Sequence, residues 1–195
     1  MITVTLPDNA YISVEYLNCE PLEVHVGENV KFYSVIVRNQ EMLEHVKFYG
    51  WQPSSENNAG DSYGILSNNY VLQKVDATEP LNRIPARAFS DCHLLSEVDL
   101  SACTEVADYG LYNTAVTQIA SNTLHTLGDN GLSNCYRLQK VSTPNLSVIS
   151  GRNAFANSYN ITDVIIADNC TYPSGTFGSQ YKWYDNPEKN HPEFN

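Results

Sequence analysis

Asp91-Cys92-His93 sets a carboxylate, a thiol and an imidazole side by side, the residue types of a cysteine nucleophile and its base. Neighbours in sequence rarely face one another, so the run alone predicts no catalytic pair. The five cysteines, at 19, 92, 103, 135 and 170, form no Cys-x-x-Cys pair and no Cys/His cluster with zinc-ligand spacing. They read as free structural thiols, with a bridge through Cys103 or Cys170 as the minority case. No Gly-x-Ser-x-Gly elbow, phosphate loop or His-Glu-x-x-His occurs. The chain therefore predicts no catalytic residue, metal or cofactor, and the chemistry it offers is that of contact. Tyr70, His93, Tyr136, Tyr159 and Tyr181 follow one another at 23, 43, 23 and 22 residues. Tyrosine gives large contact area at low entropic cost and has a polar tip. Trp51, in a polar segment, is a second candidate contact.

A regular column of this kind needs a repeat to hold it. Eight times a large apolar residue, three after a Cys, Asn, Gln or Ser, opens a strand-like run: Leu22, Leu43, Leu72, Leu95, Val116, Leu138, Ile161 and Trp183. The intervals are 21, 29, 23, 21, 22, 23 and 22 residues. A period of about 20 to 29 residues marks a leucine-rich-repeat solenoid, whose coils cannot bury their apolar faces singly and must stack. The reading is about eight coils, mainly β with short helical or irregular turns, and a parallel sheet on one face. The 29-residue interval holds an insertion at 49–63.

Each repeat position has a physical task. In the clearest copy Ile84-Pro85-Ala86-Arg87-Ala88-Phe89 leads to Cys92, Leu95, Val98 and Leu100. The order returns as Gly131-Leu132, Cys135, Leu138, Val141, and as Ala154-Phe155, Ser158, Ile161, Val164. Weaker copies read Gly110-Leu111, Asn113, Val116, Ile119 and Gly64-Ile65, Asn69, Leu72, Val75. The small residue lets coils approach and the apolar one fills the space between them. The column Cys19, Gln40, Asn69, Cys92, Asn113, Cys135, Ser158 and Gln180 is small or polar, as suits a turn whose backbone needs side-chain partners.

The order Ile-Pro-x-x-Ala-Phe-x-x-Cys-x-x-Leu-x-x-Val-x-Leu resembles the BspA-like (Treponema pallidum-type) leucine-rich repeat of bacterial and protist surface proteins and some phage genomes. The resemblance is strongest over residues 64–166. It implies ligand binding and adhesion without catalysis or cofactor. It transfers no binding residue, because the ligand-contacting positions vary within such repeats.

Period-two alternation fixes a strand register. Val46, Val75, Val98, Ile119, Val141 and Val164 are expected to point inward. One outward row is then His45, Lys74, Glu97, Gln118, Lys140 and Asp163, and the other is Lys47, Asp76, Asp99, Ala120, Ser142 and Ile165. Lys74/Glu97 and Lys140/Asp163 fall on adjacent strands as opposite charges worth about 0.2 to 1 kcal/mol each. The face carrying Lys74, Glu97, Gln118, Lys140 and Asp163 is the alternative ligand surface. The aromatic column sits on the rim, either as a self-stacked ladder or as the main ligand surface.

Composition sets the outer limits. A hydrophobic content of 42% argues against disorder. No run approaches the ~20 apolar residues of a membrane span. A net charge of -11 disfavours nucleic acid and anionic lipid. Residues 1–195 read as one domain: an N-terminal cap or degenerate repeat at 1–30, repeats over 31–180, and a C-terminal cap or tail at 181–195. Residues 1–8 show neither the basic segment nor the apolar core of a signal peptide. The expectation is a surface-exposed or extracellular module binding a protein or glycan. The alternative is a structural component of a virion or other assembly, associating through the tail.

Overall fold

A left-handed turn opens each of the five coils that lead into the strands Lys74–Ala77, Glu97–Val98, Gln118–Ala120, Lys140–Ser142 and Asp163–Ile165. Asn68, Asp91, Asn113, Asn134 and Asn157 all have φ between 57° and 62°, a region that Asn and Asp tolerate better than other side-chain-bearing residues. The computed structural model describes residues 2–6, 22–26, 43–49 and 64–177. The residue after each of these turn positions, namely Asn69, Cys92, Thr114, Cys135 or Ser158, is buried. Beyond it the chain extends into a strand of the first face.

The strands of that face are β1 (Ile2–Leu6), β2 (Leu22–Val26), β3 (His45–Tyr49), β4 (Lys74–Ala77), β6 (Glu97–Val98), β8 (Gln118–Ala120), β10 (Lys140–Ser142) and β12 (Asp163–Ile165). All pairings are parallel, in the orders β1-β2-β3-β4-β6 and β12-β10-β8. The expected register holds from His45 onward, with Val46 against Val75, Val75 against Val98, and Val141 against both Ile119 and Val164. Upstream it shifts. Leu22 pairs with Val46, so it holds the register position of Val46 and not the anchor position of Leu43.

A second parallel sheet corrects the expectation of a sheet on one face alone. Its strands, in the order β11-β9-β7-β5, are β5 (Arg83–Ile84), β7 (Glu105–Val106), β9 (Thr126–Leu127) and β11 (Val148–Ile149). Four coils therefore carry a strand of each sheet: β4/β5, β6/β7, β8/β9 and β10/β11. Beyond β12 the next return is marked by an isolated bridge from Val148 to Thr171. The expected count of about eight coils is not supported. The turns are irregular, and no helix occurs among the described residues.

The core is one cluster filled from both sheets, by Val75, Ile119, Val141 and Val164 from the first and Ile84, Val106, Leu127 and Ile149 from the second. Phe89 and Phe155 fill the space between coils, and Phe155 stacks on Phe177 with centroids 5.2 Å apart. Small residues permit the coil spacing. A Cβ on Gly64 would lie 1.9 Å from the Arg87 carbonyl oxygen, so no side chain fits there.

Candidate functional site

Cys92 is no nucleophile. Its Sγ donates to the Leu66 carbonyl of the preceding coil at 3.0 Å, and burial pushes the thiol up to about 12. His93 points outward, with its Nε2 2.9 Å from Asn113 Nδ2 and its ring tilted on Tyr70. The Asp91-Cys92-His93 run therefore splits between interior and surface. Cys103, Cys135 and Cys170 are likewise free and buried, and desolvation raises each to about 11. Cys19 lies outside the described residues.

The buried turn column has a shared task, which is to satisfy main-chain groups, of the preceding coil at Cys92, Cys135 and Ser158 and of their own coil at Asn69 and Thr114. Ser158 Oγ donates to the Leu132 carbonyl at 2.7 Å and accepts from the Cys135 amide at 3.0 Å. Cys135 Sγ donates to the Leu111 carbonyl, and Asn69 Nδ2 to the Leu66 carbonyl. In the β8 coil the occupant is Thr114, whose Oγ1 donates to the Leu111 carbonyl. Asn113 belongs to the half-buried left-handed turn column beside it. Its Nδ2 donates to Asp91 Oδ1 at 2.8 Å, as Asn157 Nδ2 donates to Asn134 Oδ1.

This one-position correction changes the surface. The buried turn residue stands three before the anchor at Asn69/Leu72, Cys92/Leu95, Cys135/Leu138 and Ser158/Ile161, but two before it at Thr114/Val116. The β8 coil lacks the residue that elsewhere projects from the rim; Thr114 and Ala115 are both buried. The aromatic column is therefore two pairs and not one stripe. Tyr70 and His93 form the first, centroids 5.0 Å apart. Tyr136 and Tyr159 form the second, 51% and 56% exposed, with no ring contact between them. The Tyr159 hydroxyl donates to Asn157 Oδ1, which anchors that side chain without covering it. Tyr181, Trp51 and the tail lie outside the described residues.

The short coil also interrupts the sheet. The carbonyl one residue after each anchor normally accepts from the next coil: Glu44 from Gln73 and Lys74, Gln73 from Ser96 and Glu97, Thr117 from Gln139, and Gln139 from Thr162 and Asp163. Ser96, the equivalent acceptor, receives nothing from Thr117 or Gln118, while the Ala115 amide is drawn to the Leu95 carbonyl instead. No strand pairing joins β6 to β8. A groove of about 390 Å³ opens there, lined among others by Lys74, Asp76, Glu97, Val98, Asp99 and Gln118. Val98, expected to be an inward residue, is half-buried at this groove, whereas Val75 and Ile119 on the flanking strands are buried.

Charges on this face pair as the register predicts. Lys74 Nζ lies 3.3 Å from Asp76 Oδ2 and 3.7 Å from Glu97 Oε2, and Lys140 Nζ lies 3.3 Å from Asp163 Oδ2. His45 Nε2 also meets Asp76 Oδ2, at 2.9 Å. Asp99 accepts from the Ser101 amide and has no cationic partner among the described residues. On the second sheet Arg83 clamps Glu105 bidentately at 2.7 and 2.9 Å, a pair that sequence reading missed. Among the described residues no group of three or more His, Cys, Asp or Glu side chains is arranged to hold a metal, and no helix is long and apolar enough to cross a membrane.

The stacked parallel strands and the inter-coil cap column define a leucine-rich β-solenoid that presents side chains on a regular surface. Residues 64–181 match the BspA type leucine rich repeat region in six copies, and the chain belongs to that family. No curated protein matches it. Among solved structures it is similar to a leucine-rich cell surface protein from Faecalibacterium prausnitzii A2-165, at 14% identity and a TM-score of 0.39. That similarity covers 86% of this chain and 66% of the other.

Proposed function

We propose that this chain is a non-enzymatic, surface-displayed module that binds a protein partner through its aromatic rim, in the manner of an adhesion domain. The observation that carries the reading is the pair Tyr136 and Tyr159, large aromatic side chains on consecutive coils, both more than half exposed and without a ring partner among the described residues. A self-stacked ladder would need each ring to cover the next, and these do not. Uncovered tyrosines in register offer area and hydroxyl groups to a partner at little entropic cost. The acidic surface, net -11 over the chain, favours partners with basic patches. A sugar ring stacked on the same tyrosines is the alternative ligand.

The test is the double variant Tyr136→Ser with Tyr159→Ser, compared with the parent chain on a glycan array and in selection against a displayed protein-fragment library. Binding lost at an unchanged melting temperature is expected. Unchanged binding, or a lowered melting temperature, would make the tyrosines structural and reject the rim as the site.

A further inference from the structure

We propose that the groove between β6 and β8 is a second recognition site, one that takes an extended protein segment carrying an arginine. It deepens the reading of the chain as a protein-binding module but uses a different surface from the tyrosine rim.

The groove arises from the sequence. The residue missing between Thr114 and the Val116 anchor shortens one coil, and the ladder is lost at that junction. An open junction exposes main-chain groups that the β3/β4, β4/β6 and β10/β12 junctions use internally, and of which the β8/β10 junction uses the Gln139 amide and Thr117 carbonyl. The Ser96 carbonyl and the amides of Thr117 and Gln118 lie at its edges, without main-chain partners from each other. Such groups pair readily with an added extended segment. Half-exposed Val98 adds an apolar contact to the lining, and Ala120, also in the lining, is too small to fill it. A volume of about 390 Å³ falls within the range of small ligand sites, about 300 to 1,000 Å³, and suits one long side chain with its backbone.

Charge selects the side chain. Asp76, Glu97 and Asp99 line the groove against the single cation Lys74, which Asp76 and Glu97 share. Asp99 has no cation of its own among the described residues. Glu97 and Asp99 are two apart in sequence and follow the same outward alternation, about 6.6 Å along the chain at strand rise. A planar guanidinium with five donors can bridge two carboxylates at that spacing, whereas an ammonium is a compact point charge.

The probe is the capped pentapeptide acetyl-Thr-Val-Arg-Val-Thr-amide, titrated into the isotope-labelled full chain and followed by amide NMR shifts. The expected result is perturbation centred on Val98, Asp99, Gln118 and Ala120, with a Kd of about 1 mM or tighter. The same peptide with Glu in place of Arg should leave those amides unmoved. Glu97→Gln with Asp99→Asn should weaken the response about tenfold, and one serine inserted between Thr114 and Ala115 should abolish it by closing the ladder. Tyr136→Ser with Tyr159→Ser should leave it intact, which separates failure of the rim from failure of the groove. Equal response to the Glu peptide, undiminished binding by the Glu97→Gln/Asp99→Asn variant, or no shift at these four amides would overturn the proposal.

Discussion

Ser158→Ala should cost more than any change of similar size on the surface. Ser158 is fully buried, and its hydroxyl serves two main-chain groups of the preceding coil: the Leu132 carbonyl at 2.7 Å and the Cys135 amide at 3.0 Å. Alanine fills nearly the same space but leaves both groups without that partner. A buried donor or acceptor left unmade costs about 1 to 3 kcal/mol, so the pair predicts a loss of about 2 to 4 kcal/mol. For a chain of this length each kcal/mol lowers Tm by about 2 to 4 °C, giving a drop of roughly 5 to 15 °C by far-ultraviolet circular dichroism. Ser158→Cys should lose less than half as much, because Cys92 and Cys135 already cap the Leu66 and Leu111 carbonyls through sulfur. A Ser158→Ala protein melting within about 2 °C of the parent would show that the turn column is filler and carries no hydrogen-bonding task.

Further expectations concern the core and the thiols. Val141→Asp places an unpaired charge in the apolar column and should cost about 3 to 5 kcal/mol, while Lys140→Ala, one residue away on the exposed row, should stay within about 0.5 kcal/mol; equal melting temperatures would reject the register. Cys92, Cys103, Cys135 and Cys170 should resist alkylation in the native protein at neutral pH, and all five cysteines of the chain should be modified after denaturation without reductant. Fewer would indicate a disulfide. The same thiols make the fold alkali-sensitive: the unfolded thiol ionises near 9.0 and the folded ones near 11 to 12, so unfolding releases protons in that window. Stability is fully present below pH about 9 and falls as pH rises through it; denaturant midpoints flat between pH 8 and about 11 would contradict the burial of these groups.

The solenoid was legible because its anchors and inward valines recur at a near-constant interval, and burial forces that regularity on the sequence. The second sheet was not, although its signal is present: Leu81/Ile84, Cys103/Val106, Leu124/Leu127 and Leu146/Ile149 repeat at 21 or 22 residues. Their strands have two residues each, too short for alternation to show. Leu22 was misplaced by three positions because any apolar residue near the period fits an anchor when its neighbours are irregular. The groove was hidden by alignment. Placing Asn113 in the buried column made the coil look complete, since Asn suits both a half-buried left-handed turn and a buried polar site. The test that separates the two is the next residue, Thr114, which reproduces the carbonyl cap of its column while Asn113 does not. Tyr70, His93, Tyr136 and Tyr159 are exposed, but the expected continuity of their column depended on the same misplaced residue.

The most direct test of the claim that one missing residue opens this solenoid is residue-resolved amide hydrogen exchange across the first face. Glu97, Gln139 and Asp163 donate to the preceding coil and should be protected. Thr117 and Gln118, at the open junction, should exchange at least about tenfold faster than these three. Inserting one serine between Thr114 and Ala115 should bring Gln118 to the protection of its neighbours. Protection of Gln118 equal to that of Glu97 in the unaltered chain would contradict the open junction and the groove built on it.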